Sequence, residues 1–346
     1  MRVGINGFGR IGRSIFRINE KNPGFKVVAI NDIDPNVGNH AYLLKYDTIY
    51  GKFEGHVSSN NGNMQMVVED KAIQFYDKEK INEVPWEKHN IDIVIDSSGI
   101  YANVLLCKHI IAKGKVKKCI ITHSPKDGVD HTVIFGVNES TYDSTIHNIV
   151  STSICDSNAS GPILKLLDDE FVIDYGYITT LHPWLSYQNL VDGSLRSVSS
   201  PGHFWKNYSL GRASTDSLIP KPTTLVGALN KVIPEISGNL DAISFRIPTS
   251  IVSSSDLTIT LRKAITINDL NDLFKRKSIE NDSFIGYQDD QLVSIDFKGI
   301  SESVFVDGRW TRVLKDKTVK LVLWYDNEWG YSHRVCDMVN LMAKNF

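Results

Sequence analysis

The thiol of Cys155, set in Ser153-Ile154-Cys155-Asp156-Ser157-Asn158-Ala159-Ser160-Gly161-Pro162, is the side chain of this sequence best suited to nucleophilic chemistry. It precedes a pattern that predicts a helix over 157–168, whose dipole would favour the thiolate. Such a nucleophile also needs a base. His182 closes an apolar strand pattern over 175–181, a place where side chains commonly face a cleft. An arbitrary Cys and His are core or surface residues by default. The N-terminus changes the weighing. There Gly7-Phe8-Gly9-Arg10-Ile11-Gly12 follows an apolar strand and opens a helical pattern. In that setting the first glycine permits a tight turn, the second lets a pyrophosphate approach the backbone, and the third lets helix and sheet pack closely. The amides at the helix N-terminus then hold the anion. Asp32 ends a second strand 20 residues after Gly12. A carboxylate there accepts from ribose hydroxyls and repels a 2′-phosphate, so the cofactor expected is NAD rather than NADP. A lone thiol downstream of a nicotinamide-type fold points to aldehyde oxidation through a covalent thioester.

The elements that must position these groups fall into two halves. Short apolar strands at 2–5, 26–30, 64–69, 91–96, 118–121 and 132–135 alternate with helices at 10–19, 36–44 and 102–113. This alternation predicts a doubly wound parallel sheet, a Rossmann-type α/β domain over 1–150 completed by 326–346. After residue 151 the pattern becomes longer alternating strands at 172–181, 240–247, 257–262, 292–297 and 319–325, interrupted by helices at 224–232 and 267–277. The expectation is a second, catalytic α+β domain over 151–325 built on a mixed sheet. An amphipathic terminal helix is predicted over 332–345.

Composition sets limits on partners. A formal net charge of -2 argues against a nucleic-acid or anionic-membrane binder. No 18-residue apolar run is present, and the N-terminus reads as a strand rather than a signal peptide. Cysteines 107, 119, 155 and 336 are scattered without metal-ligand spacing, so no metal is expected and a reducing, cytoplasmic setting is.

Five strings make the chain resemble the phosphorylating glyceraldehyde-3-phosphate dehydrogenase family over nearly its whole length. They are Ile5-Asn6-Gly7-Phe8-Gly9-Arg10-Ile11-Gly12-Arg13, Leu44-Lys45-Tyr46-Asp47-Thr48, Gly136-Val137-Asn138, Thr179-Thr180-Leu181-His182 and Trp324-Tyr325-Asp326-Asn327-Glu328-Trp329-Gly330-Tyr331. The resemblance implies Cys155 as nucleophile and His182 as its proton-shuttling partner. It implies cofactor contacts from Asn6 through Gly12, from Asp32 to the ribose, from Asn327 to the nicotinamide carboxamide, and from Tyr331. It further implies Arg246 as an anion-binding arginine, with Thr223 and Arg212 where the family keeps polar anion contacts. A homotetramer is the family's usual assembly. Glyceraldehyde 3-phosphate is the default substrate and inorganic phosphate the default acyl acceptor.

The chain departs from that pattern beside the thiol. Where the family has Ser and Thr flanking the nucleophile, this sequence has Ile154 and Asp156. Isoleucine donates nothing, and a carboxylate opposes both an attacking anion and the thiolate, although it suits a helix N-terminus. After His182 the family's two phosphate-touching threonines are replaced by Leu185 and Tyr187, and the glycine after Thr223 by Thr224. The segment 194–210 is longer than the family's. The leading expectation is therefore an NAD-dependent dehydrogenase of a small anionic aldehyde. One alternative is a related phospho-aldehyde such as erythrose 4-phosphate with water resolving the thioester. Another is an NAD-binding paralogue with a regulatory role.

Overall fold

Runs of β-branched residues, each ending in a glycine or polar turn, set the first half of the fold. The computed structural model describes residues 1–196, 204–280 and 284–344, grouped into two compact units. The first comprises Met1–Thr132, Thr141–Thr152 and the stretch from Ser332. The second comprises Val133–Ser140 and Ser153–Tyr331.

In the first unit β1 (Arg2–Asn6), α1 (Arg10–Lys21), β2 (Lys26–Asn31) and α2 (Val37–Lys45) form a βαβα run. A small ribbon of β3 (Tyr46–Asp47) and β4 (Gly51–Lys52) follows. Next come β5 (Val57–Asn60), β6 (Gln65–Val68), β7 (Lys71–Tyr76), β8 (Ile93–Asp96), α3 (Asn103–Ala112), β9 (Lys118–Ile121), β10 (His131–Thr132) and β11 (Ile149–Ser151). They make one sheet in the order β10-β11-β9-β8-β1-β2-β7-β6-β5. It is parallel from β10 to β7, and only the β7-β6-β5 edge is antiparallel. This is the doubly wound α/β class expected. Strand order reverses at β1, between β2 and β8, which is where such sheets take their ligands. Strands β5 and β7 were not foreseen, because their apolar residues alternate with polar ones too briefly to stand out. Strand 132–135 shortens to His131–Thr132, since residues 133–140 leave the sheet for the second unit.

The second unit begins with α4 (Cys155–Phe171) and β12 (Ile173–Pro183). There follow β13 (Ile219–Lys221), α5 (Leu225–Leu229), β14 (Leu240–Ile247), β15 (Ser253–Leu261), α6 (Ile267–Ser278), β16 (Ile285–Gln288), β17 (Val304–Asp307), β18 (Arg312–Leu314) and β19 (Thr318–Tyr325); α7 (Trp329–Lys344), which from Ser332 on belongs to the first unit, ends the fold. The mixed sheet runs β13-β14-β12-β15-β19-β17-β16, with β18 paired to β19. Ala159, Ile163, Leu164 and Leu167 of α4 pack on Ile178, Leu257, Ile259, Leu321 and Leu323, and this apolar layer fixes which strand positions face the helices. The run 292–297, expected as a strand, is instead a 3₁₀ turn at Ser294–Phe297, where Asp296 accepts from the Val293 amide (2.8 Å) and leaves Val293 and Ile295 exposed. Residues 197–203 of the long loop lie outside the described set. Cys107, Cys119 and Cys336 are buried free thiols.

Candidate active site

Strand periodicity assembles the chemistry of the second unit. On β12 Ile178, Thr180 and His182 are buried at alternating positions, so His182 shares the helix-covered face with core residues. Its parallel partner on β14 is Arg246, and Ser244, two residues earlier, faces the same way beside Lys221 of β13. Farther across the sheet Tyr325 of β19 pairs with Ser253. One lane of inward side chains thus carries Arg246, His182 and Tyr325.

The first turn of α4 places the thiol over that lane. Ser153 adopts a left-handed backbone (φ 60°), a conformation that costs a non-glycine residue about 1 kcal/mol or more. Its carbonyl accepts from the Tyr331 hydroxyl (3.1 Å) and its Oγ meets Ser157 Oγ (2.7 Å), so the turn is held from two sides. Ile154 is the N-cap and offers no side-chain cap. Cys155 Sγ then lies 3.4 Å from His182 Nε2 and 3.5 Å from Asp156 Oδ1. Asp156 is buried. Its Oδ1 accepts from Tyr325 Oη (2.8 Å) and stands 3.8 Å from His182 Nε2. On the other side of the imidazole, Nδ1 lies 3.1 Å from Pro183 O and directly against Arg246 Nη1, which also donates to Pro183 O (3.2 Å).

The electrostatics follow from this packing. Burial pushes the Cys155 thiol well above its ordinary range, and the Asp156 carboxylate adds to the shift while Arg246 opposes it. Burial also pulls His182 down to about 3, with Arg246 next in effect and Asp156 acting the other way. At neutral pH the resting pair is therefore thiol and neutral imidazole, not thiolate and imidazolium. Lys221 is held down at about 8 by burial and by Arg246, against the pull of Asp156 and Cys155. This second cation was not foreseen. Its signal was a lysine two residues before Thr223 on a short strand edge. Tyr325 was likewise passed over, although a tyrosine ending a buried strand needs a partner for its hydroxyl.

Other expected anion contacts are placed differently. The Arg212 side chain is 65% exposed and its Nε donates to Asp192 (2.9 Å). Thr223 Oγ1 accepts from the Leu225 amide (3.2 Å) at the entrance to α5. Tyr187 packs against Leu195, Leu210 and Ile219 in a small apolar cluster. Arg246 is buried and, among the described residues, its Nε has no hydrogen-bond partner, which leaves a donor for an anion.

In the first unit, the end of β1 forms the glycine turn. Gly7 has φ 91° and a Cβ there would meet Ser98 N at 2.7 Å; a Cβ on Gly12 would meet Gly7 O at 2.2 Å. A Cβ on Gly9 would meet nothing within 4 Å, so this exposed glycine presents open backbone to a ligand. Arg10 and Ile11 open α1, and the Arg10 guanidinium pairs with Asp47. Phe8 is core: its ring packs edge-on to Phe16 and its amide donates to Asp32 Oδ2 (2.7 Å). Asn6 is also internal, bridging Asp96 (2.8 Å) and Asn31 (2.7 Å). In the second unit Asn327 follows β19 and, among the described residues, its buried Oδ1 has no hydrogen-bond partner, an acceptor suited to an amide donor. Within the first unit, the glycine turn and Asp32 fit a dinucleotide.

A doubly wound unit with this glycine turn and acidic strand end, together with a unit that seats a thiol on an imidazole, defines an NAD-dependent oxidoreductase. Comparison with known proteins agrees. The family profile described as "Glyceraldehyde 3-phosphate dehydrogenase, NAD binding domain" matches residues 1–104, and that of the C-terminal domain matches residues 154–327. Glyceraldehyde-3-phosphate dehydrogenase of Priestia megaterium is 36% identical over 347 residues, spanning 99% of this chain and 98% of that relative. Glyceraldehyde-3-phosphate dehydrogenase 3 of Saccharomyces cerevisiae is 39% identical over 347 residues, spanning 99% of each. The chain belongs to the glyceraldehyde-3-phosphate dehydrogenase family. No helix among the described residues is long and apolar enough to cross a membrane.

A pH prediction arises from the half-buried imidazole of His333. Burial and Arg334 hold His333 at about 4, below its unfolded value near 6.5. Its contribution to stability is complete above about pH 6.5 and is withdrawn as pH falls toward about 4. Between pH 7 and 5 this amounts to about 1–2 kcal/mol. The thermal midpoint of His333→Gln is expected to fall less over that range than the parent's. Parallel curves would refute the assignment.

Proposed function

We propose that this protein oxidises a small anionic aldehyde, glyceraldehyde 3-phosphate by default, through a thioester on Cys155 with NAD as oxidant. The observation that carries this reading is the 3.4 Å approach of Cys155 Sγ to His182 Nε2 beside the cation Arg246. Arginine binds phosphate and carboxylate alike, so it supports an anionic substrate without distinguishing a triose phosphate from erythrose 4-phosphate.

Gly7, Gly9, Gly12, Asp32 and Asn327 would hold the dinucleotide, which when bound supplies the hydride acceptor. The chain's own residues do the rest. An anion on Arg246 and Lys221 offsets the positive field that disfavours imidazolium at His182. Sγ then attacks the carbonyl carbon while its proton passes to Nε2 and on to the carbonyl oxygen. Nε2 later withdraws the hydroxyl proton as the carbon is oxidised to the thioester. Lys221 acts as the second anion anchor. Lys221→Met is expected to raise the KM for the anionic aldehyde roughly tenfold, about 1.4 kcal/mol, with a small change in kcat. In the parent that KM should climb as pH rises through about 8, where Lys221 loses its charge, and the variant should lack this rise. Equal KM values and equal pH profiles would remove Lys221 from the site.

The acyl acceptor separates two readings. Phosphate is the default. Water is favoured by one observation, the Asp156 carboxylate 3.5 Å from the sulfur where an anionic acceptor must approach. The test is NADH formation from glyceraldehyde 3-phosphate with and without inorganic phosphate. Strong phosphate dependence supports the default. A burst of about one NADH per subunit followed by phosphate-insensitive turnover supports hydrolysis. NAD binding without any burst, across phospho-aldehydes, supports a regulatory paralogue instead. Assembly as a homotetramer is part of the proposal. Tyr175, Tyr177 and Ile243 are exposed at 56%, 66% and 45% on the sheet face away from the helices, an apolar surface of the kind that associates.

A further inference from the structure

We infer that Cys155, Asp156 and His182 form a three-ligand site for a zinc-like divalent cation, a reversible lock on the thiol. Three donor atoms of different chemistry form a triangle here: Sγ to Nε2 is 3.4 Å, Sγ to Oδ1 is 3.5 Å, and Nε2 to Oδ1 is 3.8 Å. A tetrahedral zinc ion with ordinary bond lengths sets sulfur about 3.6 Å from each hard ligand and the two hard ligands about 3.4 Å apart. The observed triangle is therefore one face of that tetrahedron after a shift of a few tenths of an ångström at Asp156 or His182. The donor set of thiolate, imidazole and carboxylate is one that zinc accepts and magnesium does not.

The atoms behind the ligands are also in place. A ligating imidazole nitrogen needs its other nitrogen protonated and held, and His182 Nδ1 lies 3.1 Å from Pro183 O. Arg246 Nη1 shares that carbonyl (3.2 Å) and lies against Nδ1, so it competes for this position and adds positive charge. Asp156 Oδ1 is steered by the Tyr325 hydroxyl at 2.8 Å. Cys155 is partly exposed, which gives an ion access. Binding forms three bonds to the metal and releases the thiol proton to solvent, with no change of oxidation state. Two anionic ligands neutralise the dication. The third ligand exists because Asp156 stands beside the thiol, and residue spacing concealed the set because His182 is 26 residues away from Asp156 in sequence.

The site does not depend on the proposed chemistry; only its consequence does, namely that a metal-bound thiolate cannot attack an aldehyde. The experiment is a Co²⁺ titration of the full chain, reduced and freed of metal by chelation. The expected result is one Co²⁺ per chain, with a thiolate charge-transfer band in the near ultraviolet and the strong visible bands of four-coordination. Zn²⁺ displaces it and Mg²⁺ does not. Asp156→Asn should weaken Co²⁺ binding more than about tenfold, and Tyr325→Phe, one shell out, by roughly tenfold. As a measurement without substitution, Zn²⁺ should protect Cys155 of the parent from iodoacetamide while Mg²⁺ leaves its alkylation unchanged. Absence of the charge-transfer band, its persistence in Cys155→Ser, undiminished affinity in Asp156→Asn, or no protection by Zn²⁺ would each overturn the inference.

Discussion

Cys155→Ser is expected to lower NADH formation by about 10⁴-fold or more while NAD still binds with the parent's affinity. The size of the loss follows from the chemistry at this position. A serine hydroxyl has an ionisation constant many orders of magnitude below that of a thiol, and His182, held at about 3, is too weak a base to make up the difference. The separation of binding from turnover follows from the fold. The glycine turn, Asp32 and their supports, Ser98 behind Gly7 and Phe16 beside Phe8, are built from the first unit, far in sequence from the substitution. Equilibrium NAD titration and single-turnover kinetics on the same preparation check both halves. A variant that retains a burst of NADH would exclude a covalent mechanism at Cys155. One that lost NAD affinity would show that the thiol supports the cofactor site.

How far this site could be read from sequence depended on how local its determinants are. The glycine turn was legible because its function needs three glycines within one turn, and the structure shows two of them closed to any Cβ and the third open. Cys155 and His182 were legible as types, and strand periodicity then explains their meeting: His182 occupies the buried parity of β12 and Cys155 starts the helix covering it. What sequence did not reveal is cross-strand. Lys221 enters because β13 pairs antiparallel with β14, two residues from Arg246 in register. Tyr325 enters because β19 delivers a phenol to Asp156 from 169 residues away. Strand 292–297 failed for a related reason. Its alternation is real, but Asp296 folds back on the Val293 amide and closes a turn before the segment can pair.

The substitution pair Ile154→Ser with Asp156→Thr tests the departure from the family pattern that lies beside the thiol. Removing a carboxylate about 4 Å from an incoming anion relieves roughly 1–4 kcal/mol of repulsion, according to how well water screens the site. That corresponds to a phosphate KM lower by roughly 5- to 1000-fold, before any gain from the two new hydroxyls. The same change acts on the nucleophile. Asp156 is the second cause, after burial, of the high thiol pKa. Without it the thiolate fraction at neutral pH rises about tenfold for each unit the pKa falls, and weaker intrinsic nucleophilicity returns about half of that gain on a logarithmic scale. Iodoacetamide should therefore alkylate Cys155 about threefold faster per unit. Tyr325 loses its partner and would leave a buried hydroxyl relying on Ser255 at 3.4 Å, so some stability is forfeited, and Thr at 156 is chosen over Ala to keep an acceptor there. The two readouts distinguish the possible roles of Asp156. Faster alkylation with a lower phosphate KM means that the carboxylate restrains both thiol and acceptor. Faster alkylation with an unchanged phosphate KM means that it acts on the sulfur alone, and the acceptor must approach from the side of Arg246 and Lys221.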